Sequence, residues 1–349
     1  MVLLTILVSI EILGHFSYKI YKGYFLFENG KKEKILFLEH PFLAGVPKQN
    51  FELQNAAGTI KINTDQLGNR VSYPTGMQHH ENARHIICLG GSSTFATGVN
   101  DKDSWPYLLQ EKLGPGYKVT NLGVPGYSTQ EAVIQMGSLV QMLKPTIIIN
   151  YQGWNDLRNY HLKKDRGMYI EHGIQQRNNL KVAKKPSLAA YSFIYFIAKK
   201  IRSRITKNSS TKTTNPLPDS ITDSLYAQNL KTLNSLGKNI GAKQIFVPQV
   251  LNMEWYEVHK NIPNRWTPTI ANSDMPAFSR KFNSIMSTSL KEDEGLIVID
   301  SILNIRKWEP HHFVDEGHFS KQGGEVFTEL LITAIREIEA QDKDDLLNN

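Results

Sequence analysis

Five short apolar runs punctuate the chain: HIICLG from His85, YKVTNLG from Tyr117, TIIINYQG from Thr146, KQIFVPQV from Lys243 and LIVID from Leu296. Between and after them lie segments of helical period, around Trp105 to Lys112, Thr129 to Leu143, Ser224 to Lys238, Ala277 to Lys291 and Lys321 to Glu339. A strand with one wet face alternates apolar and polar residues. These runs are nearly continuously apolar, so both of their faces must be covered. Short strands buried on both faces and joined by helices build a parallel sheet between two helical layers. The fold class expected is therefore α/β, a three-layer α/β/α architecture.

The 349 residues suffice for one large domain with insertions or for two small ones. Residues 28 to 82 read as an extended, turn-rich lead-in, in which GTIKINTDQLGNRVSYPTG alternates before a Gly-Asn turn and suggests a small antiparallel ribbon. The α/β part occupies 83 to 342, with a long insertion at about 160 to 219 that ends in the flexible-looking SSTKTTNPLPDS. The single cysteine, Cys88, lies inside an apolar run and reads as a core residue.

Residues 1 to 27 open with an apolar stretch from Val2 to about Ile20, close to the roughly 20 residues that a bilayer crossing needs. Glu11 and His15 interrupt it, while Tyr18, Tyr21 and Tyr24 with Lys19 and Lys22 fit an interfacial flank. No basic leader or small-residue cleavage site is present, so a single-pass N-terminal membrane anchor is favoured over a removed signal peptide. A buried or interfacial helix is the alternative. The lysines that follow would hold the next domain in the cytoplasm by the positive-inside rule, which conflicts with an extracytoplasmic enzyme.

The net charge of +7 is local: between His161 and Ser210 twelve lysines and arginines face only Asp165 and Glu171. Within this stretch, SLAAYSFIYFIAKKIRSRI joins an aromatic run to a basic tail that could lie on an anionic membrane surface or cover an active site. No recognised nucleic-acid module accompanies the charge, so no nucleic-acid partner is expected.

In an open α/β sheet the ligand site lies beyond the carboxyl ends of the strands. The first run ends in LGGSSTFATG, where Gly90 and Gly91 permit a sharp turn that exposes the Ser92 hydroxyl. A phosphate-binding loop is the competing reading, but the lysine it requires is missing. The second run leads into NLGVPGYST, in which Gly126 can bring a bare N–H close to a ligand. The third leads into YQGWND, where Asn155 offers an amide NH2 suited to an oxyanion. Near the far end FVDEGHFS sets Asp315 three residues before His318, a spacing equally ordinary for a helix cap.

Taken in order, GGSST, NLGVPG, GWND and DEGH resemble the four blocks of the SGNH, or GDSL-type, hydrolases over roughly Ile86 to Leu331. The resemblance implies a parallel, flavodoxin-like five-stranded sheet, Ser92 as nucleophile, His318 and Asp315 completing a catalytic triad, and an oxyanion hole from Ser92, Gly126 and Asn155. One departure is visible: glycine stands at 91 where the GDS triplet has an acid. That feature points toward variants similar to membrane-anchored esterases or acyltransferases acting on surface carbohydrate. INTDQLGNR also resembles an element preceding the catalytic domain in such variants.

The chemistry of the side chains agrees. A serine hydroxyl attacks well only when a neighbouring base takes its proton, histidine is suited to that exchange, and a carboxylate on its other nitrogen fixes the tautomer. His311 and His312 beside His318 raise a metal reading, but no further ligands are conspicuous at the other strand ends. No cofactor or metal is therefore expected. The expected function is a serine esterase acting on an acyl ester, O-acetyl esters included, borne by carbohydrate or lipid. The alternatives are an O-acyltransferase modifying a surface carbohydrate and a non-catalytic, membrane-anchored carbohydrate-binding protein.

Overall fold

The computed structural model describes residues 1–28, 36–55, 57–161, 191–207, 217–264, 266–267, 269–291, 293, 295–303 and 308–348. Most of the insertion expected at about 160 to 219, including SSTKTTN, lies outside the described residues.

The five apolar runs are the five strands of one parallel sheet: β5 (Arg84–Gly90), β6 (Tyr117–Asn121), β7 (Ile147–Tyr151), β8 (Lys243–Val247) and β9 (Leu296–Val298), where β1 to β4 belong to the lead-in. Their order across the sheet is β6-β5-β7-β8-β9, the doubly wound arrangement in which the chain reverses direction between β5 and β7. Residues of each strand point alternately into two cores. Ile86, Cys88, Ile147, Ile149, Ile245 and Val247 meet one layer, made by α3 (Trp105–Leu113) and α9 (Lys321–Asn348). Ile87, Leu89, Ile148 and Phe246 meet the other, made by α4 (Thr129–Gln135), α6 (Ser220–Asn239) and α8 (Met275–Leu290). The remaining helices are α1 (Val2–Lys22), α2 (Ser92–Phe95), α5 (Phe193–Lys207) and α7 (Met253–Val258). The chain is thus a three-layer α/β/α sandwich, and both faces of every central strand are dry, which is why those strands carry no polar alternation.

Some boundaries moved for identifiable reasons. The helix expected over Thr129 to Leu143 is continuous in path but passes through a π-helical turn at Met136–Val140. α6 starts at Ser220, four residues earlier than its apolar period, because Asp219 caps it by accepting the Thr222 N–H at 3.1 Å.

In the lead-in, residues 52 to 63 form a small antiparallel ribbon, and the Gly-Asn turn follows it. β4 (Lys61–Asn63) pairs backward with β3 (Glu52–Gln54), β1 (Phe37–Leu38) pairs with β2 (Val46–Pro47), and the Gly68-Asn69 turn closes only an isolated bridge from Thr64 to Arg70. Asp65 builds that turn by accepting the N–H groups of Leu67 and Asn69, both at 2.8 Å. Leu36, Phe37, Leu43 and Ile62 share a third core with Phe95, Val124 and Tyr127, so the lead-in packs directly on the loops that follow β5 and β6.

α1 is long and apolar enough to cross a membrane by length and composition, and little of it is buried. Gly23 ends it in the left-handed conformation, φ 79°.

Candidate active site

The carboxyl ends of β5, β6 and β7 converge with the segment before α9. From Gly90 the chain turns through Gly91 into the single turn of α2, with the Phe95 N–H bonded to the Gly91 carbonyl at 2.9 Å. A Cβ at Gly91 would stand 2.2 Å from Asn155 Nδ2 and 3.0 Å from the Tyr127 carbonyl, so a side chain there would displace the Asn155 amide. That contact sets the Asn155 amide against a position that has no side chain. It also shows that the turn after β5, the loop after β6 and the loop after β7 meet at one point, immediately beside Ser92.

Ser92 and His318 are 226 residues apart in sequence, yet the Ser92 hydroxyl donates to His318 Nε2 at 2.7 Å. On the other side of the ring, His318 Nδ1–H donates to Asp315 Oδ2 at 2.7 Å. The carboxylate cannot donate when ionised, so the proton belongs on Nδ1 and Nε2 is left as the acceptor that a serine needs. Asp315 also accepts the Gly317 N–H at 3.0 Å and the His318 N–H at 2.9 Å. Burial pushes its carboxyl upward, but the ring of His318 and these two N–H groups outweigh burial and leave it below the ordinary value. The capping geometry and the histidine contact therefore coexist in one aspartate. Trp154 packs on the His318 ring with centroids 5.4 Å apart and on Gly317, whose Cα leaves room for it. Ser93 ties the two halves together, donating to the Gly317 carbonyl at 3.2 Å.

Gly126 sits at the third position of a turn closed by the Tyr127 N–H to the Val124 carbonyl at 3.0 Å, with φ 83° following Pro125. Pro then Gly at the two central positions is the composition of a type II turn, and only glycine enters that conformation without strain. Asn155 donates from Nδ2 to the Tyr127 carbonyl at 2.7 Å, which fixes its amide against this turn. Thus Ser92, Asp315 and His318 are brought into one hydrogen-bonded chain, and Gly126 and Asn155 lie on adjoining loops. His311 and His312 are placed elsewhere. His311 lies 3.2 Å from Glu309 and His312 Nδ1 accepts the Glu309 N–H at 3.0 Å.

Two residues that the sequence did not single out hold this geometry. Arg70 is buried, and its guanidinium donates to the carbonyls of Phe95, Ala96 and Val99, the last at 2.7 Å, and to Asp101 at 3.3 Å. Phe95 and Ala96 end α2 and Val99 lies in the loop beyond it, so the lead-in clasps the segment that follows Ser92. Burial lowers the Arg70 pKa to about 10 despite Asp101, and the group remains charged at neutral pH. Arg70 ends the INTDQLGNR stretch, but which three carbonyls it serves is set by tertiary structure alone.

The second is Asp156, next to Asn155 and fully buried. It accepts the Thr129 N–H at 3.2 Å and the Thr129 hydroxyl at 2.5 Å, and Thr129 in turn accepts from Asn229 at 3.0 Å. Burial raises its carboxyl to about 7; the Thr129 bonds oppose that shift and Glu131 adds to it. Because the folded value lies above the unfolded one, this group's stability contribution is complete below about pH 4 and is lost as pH rises through about 7. Asp156→Asn is expected to flatten that fall in a series of thermal melts across this range. An unchanged slope would assign the pH dependence to another group.

No family model matches the chain, and no curated protein matches it significantly. Among solved structures it is similar to a GDSL-like lipase from Bacteroides thetaiotaomicron, at 12% identity and TM-score 0.43, covering 74% of this chain and 91% of that one. It is similar to a lipase/acylhydrolase from Enterococcus faecalis, at 15% identity and TM-score 0.43, covering 74% and 96%. A third similarity is to the psychrotrophic esterase EstA from Pseudoalteromonas sp., at 15% identity and TM-score 0.42, covering 76% and 100%.

Proposed function

We propose that the protein is a serine esterase that cleaves an acyl ester, O-acetyl esters of carbohydrate included, through Ser92, His318 and Asp315. The observation that carries this reading is the unbroken chain from Asp315 through His318 to Ser92, with 2.7 Å at each link. As Ser92 Oγ attacks the acyl carbon, His318 Nε2 takes its proton, and the imidazolium is stabilised by Asp315. The carbonyl oxygen becomes an oxyanion, for which the N–H groups of Ser92 and Gly126 and the second N–H of the Asn155 amide are the donors. Collapse breaks the ester C–O bond, and His318 returns its proton to the leaving alkoxide. Water, deprotonated by the same nitrogen, then attacks the acyl-Ser92 ester and regenerates the hydroxyl.

A panel of acetyl, longer acyl and thioester substrates, assayed for acid release with and without added sugar acceptors, tests the reaction class. Acetyl release that acceptors do not divert supports the esterase. Turnover only with an acceptor would make the chain a transferase, and no turnover of any ester would leave it without this function.

Arg70 is a positioning residue in this scheme, since it reaches the nucleophile only through the carbonyls of the loop. Arg70→Met leaves buried carbonyls without donors, each costing about 1–3 kcal/mol. It is expected to lower kcat about 10- to 100-fold with little change in KM, because the misplaced hydroxyl binds substrate but attacks poorly. Arg70→Lys should recover part of kcat. Equal losses in both variants that track only the folded fraction would reduce Arg70 to a structural role.

We further infer that α1 attaches the chain to a membrane. Its apolar residues from Val2 to Ile10 are exposed, and the four catalytic loops lie on a sheet that closes its own cores without it.

A further inference from the structure

Glu11 and His15, the two polar breaks in α1, both have partners on one element far away in sequence. The Glu11 carboxylate accepts the N–H of Phe193 at 2.6 Å, the N–H of Ile194 at 3.3 Å and the Ser192 hydroxyl. These are the N–H groups at the start of α5, which no carbonyl of that helix can satisfy. His15 donates from Nε2 to the Tyr191 carbonyl at 2.8 Å. Between them Gly14 is buried against Phe193, where a Cβ would lie 2.0 Å from the ring. One turn on, Tyr18 meets Phe196 edge-on with centroids 5.4 Å apart. The two helices therefore run side by side and in the same direction, starting from the level of Glu11.

That level decides how α1 can sit in lipid. Val2 to Ile10 rise about 14 Å as helix, half of a hydrocarbon core about 30 Å thick. If α1 crossed completely, Glu11, His15 and the chain at Tyr191 and Ser192 would stand near the bilayer midplane. Ser192 is outside helical geometry, so irregular chain would then lie at midplane depth together with two ionisable side chains, Glu11 and His15, an arrangement that hydrocarbon disfavours. Toward the other end of the pair, Lys19, Lys22, Lys199, Lys200 and Arg202 are all exposed at the side from which the folded domain continues.

We propose, building on the membrane attachment inferred above, that α1 and α5 form a monotopic element on an anionic lipid surface. Val2 to Ile10 enter one leaflet, the junction at Glu11 lies at the headgroup boundary, and the basic turns of both helices contact lipid phosphates. Val2 to Ile10 do not cross to the far leaflet. A helix that does not cross has no orientation for the positive-inside rule to set, so the lysine distribution no longer decides on which side the domain lies.

The full-length chain carrying Val2→Cys tests this, because the native Cys88 is buried and its thiol is pushed far above the ordinary value by burial. The protein is reconstituted in vesicles of phosphatidylcholine with phosphatidylglycerol, and an impermeant maleimide is either added outside or trapped inside. The expected result is protein that floats with the vesicles and a Cys at position 2 that is protected from both faces until detergent restores labelling. Labelling from one face only after insertion would mean that α1 crosses or is not embedded, and either overturns the monotopic arrangement while leaving membrane attachment standing. Failure to float overturns both. Flotation should be stronger than on phosphatidylcholine alone; equal flotation would overturn the contact of the basic turns with phosphate.

Discussion

Ser92→Ala is expected to reduce ester turnover to background, a loss on the order of 10⁶ in kcat where nucleophile and base act as one unit. The side chain is half-buried and its hydroxyl bonds His318 at 2.7 Å, so removing one oxygen disturbs little packing. Thermal stability should therefore stay close to that of the parent, because small changes away from core contacts usually fall within about 0.5 kcal/mol. His318→Ala should match it in kcat, and the double variant should lose no more than either alone. Parent-like turnover by the Ser92→Ala protein would remove Ser92 from the mechanism altogether.

Asn155→Ala is expected to lower kcat about 100- to 1000-fold with KM nearly unchanged. The oxyanion exists in the transition state and not in the bound ester, so a donor aimed at it contributes to the chemical step and not to substrate affinity. The amide is held in place by the Tyr127 carbonyl at 2.7 Å and packs on Gly91, so the variant also leaves space at the turn beside Ser92. Asn155→Asp separates the two effects: it nearly preserves shape but brings an acceptor-only carboxylate to the site, and it should be as poor as alanine. A change confined to KM in both variants would instead make Asn155 a substrate-binding residue.

What the sequence made legible follows from which forces act locally. The five strands could be placed because burial on both faces leaves a short continuous apolar run, as in Ile147 to Ile149. Ser92, Gly126 and Asn155 could be expected near one another because a parallel sheet puts its strand ends on one side, so residues just after each strand converge. Asp315 and His318 were ambiguous between cap and catalyst for a physical reason: the same carboxylate accepts both the backbone N–H and the ring N–H of His318.

Arg70, Asp156 and Glu11 were not legible in the same way. Each is a charged residue whose partner is set by tertiary structure: Arg70 by carbonyls of the loop after α2, Asp156 by Thr129 on the neighbouring unit, Glu11 by helix α5. From sequence, Glu11 looked like a defect in an apolar segment; in the fold it caps a helix that begins 182 residues later. The pairing within the lead-in was not legible either: β4 pairs with the strand before it, and the Gly68-Asn69 turn closes only an isolated bridge.

The most direct test of the central claim is covalent: the full-length protein is treated with a serine-reactive fluorophosphonate and the adduct is located by peptide mass spectrometry. A single adduct on Ser92, abolished in Ser92→Ala and strongly slowed in His318→Ala, is the result expected if His318 activates that hydroxyl. No adduct, or one on another serine that forms equally well without His318, would contradict the assignment of Ser92 and His318 as nucleophile and base.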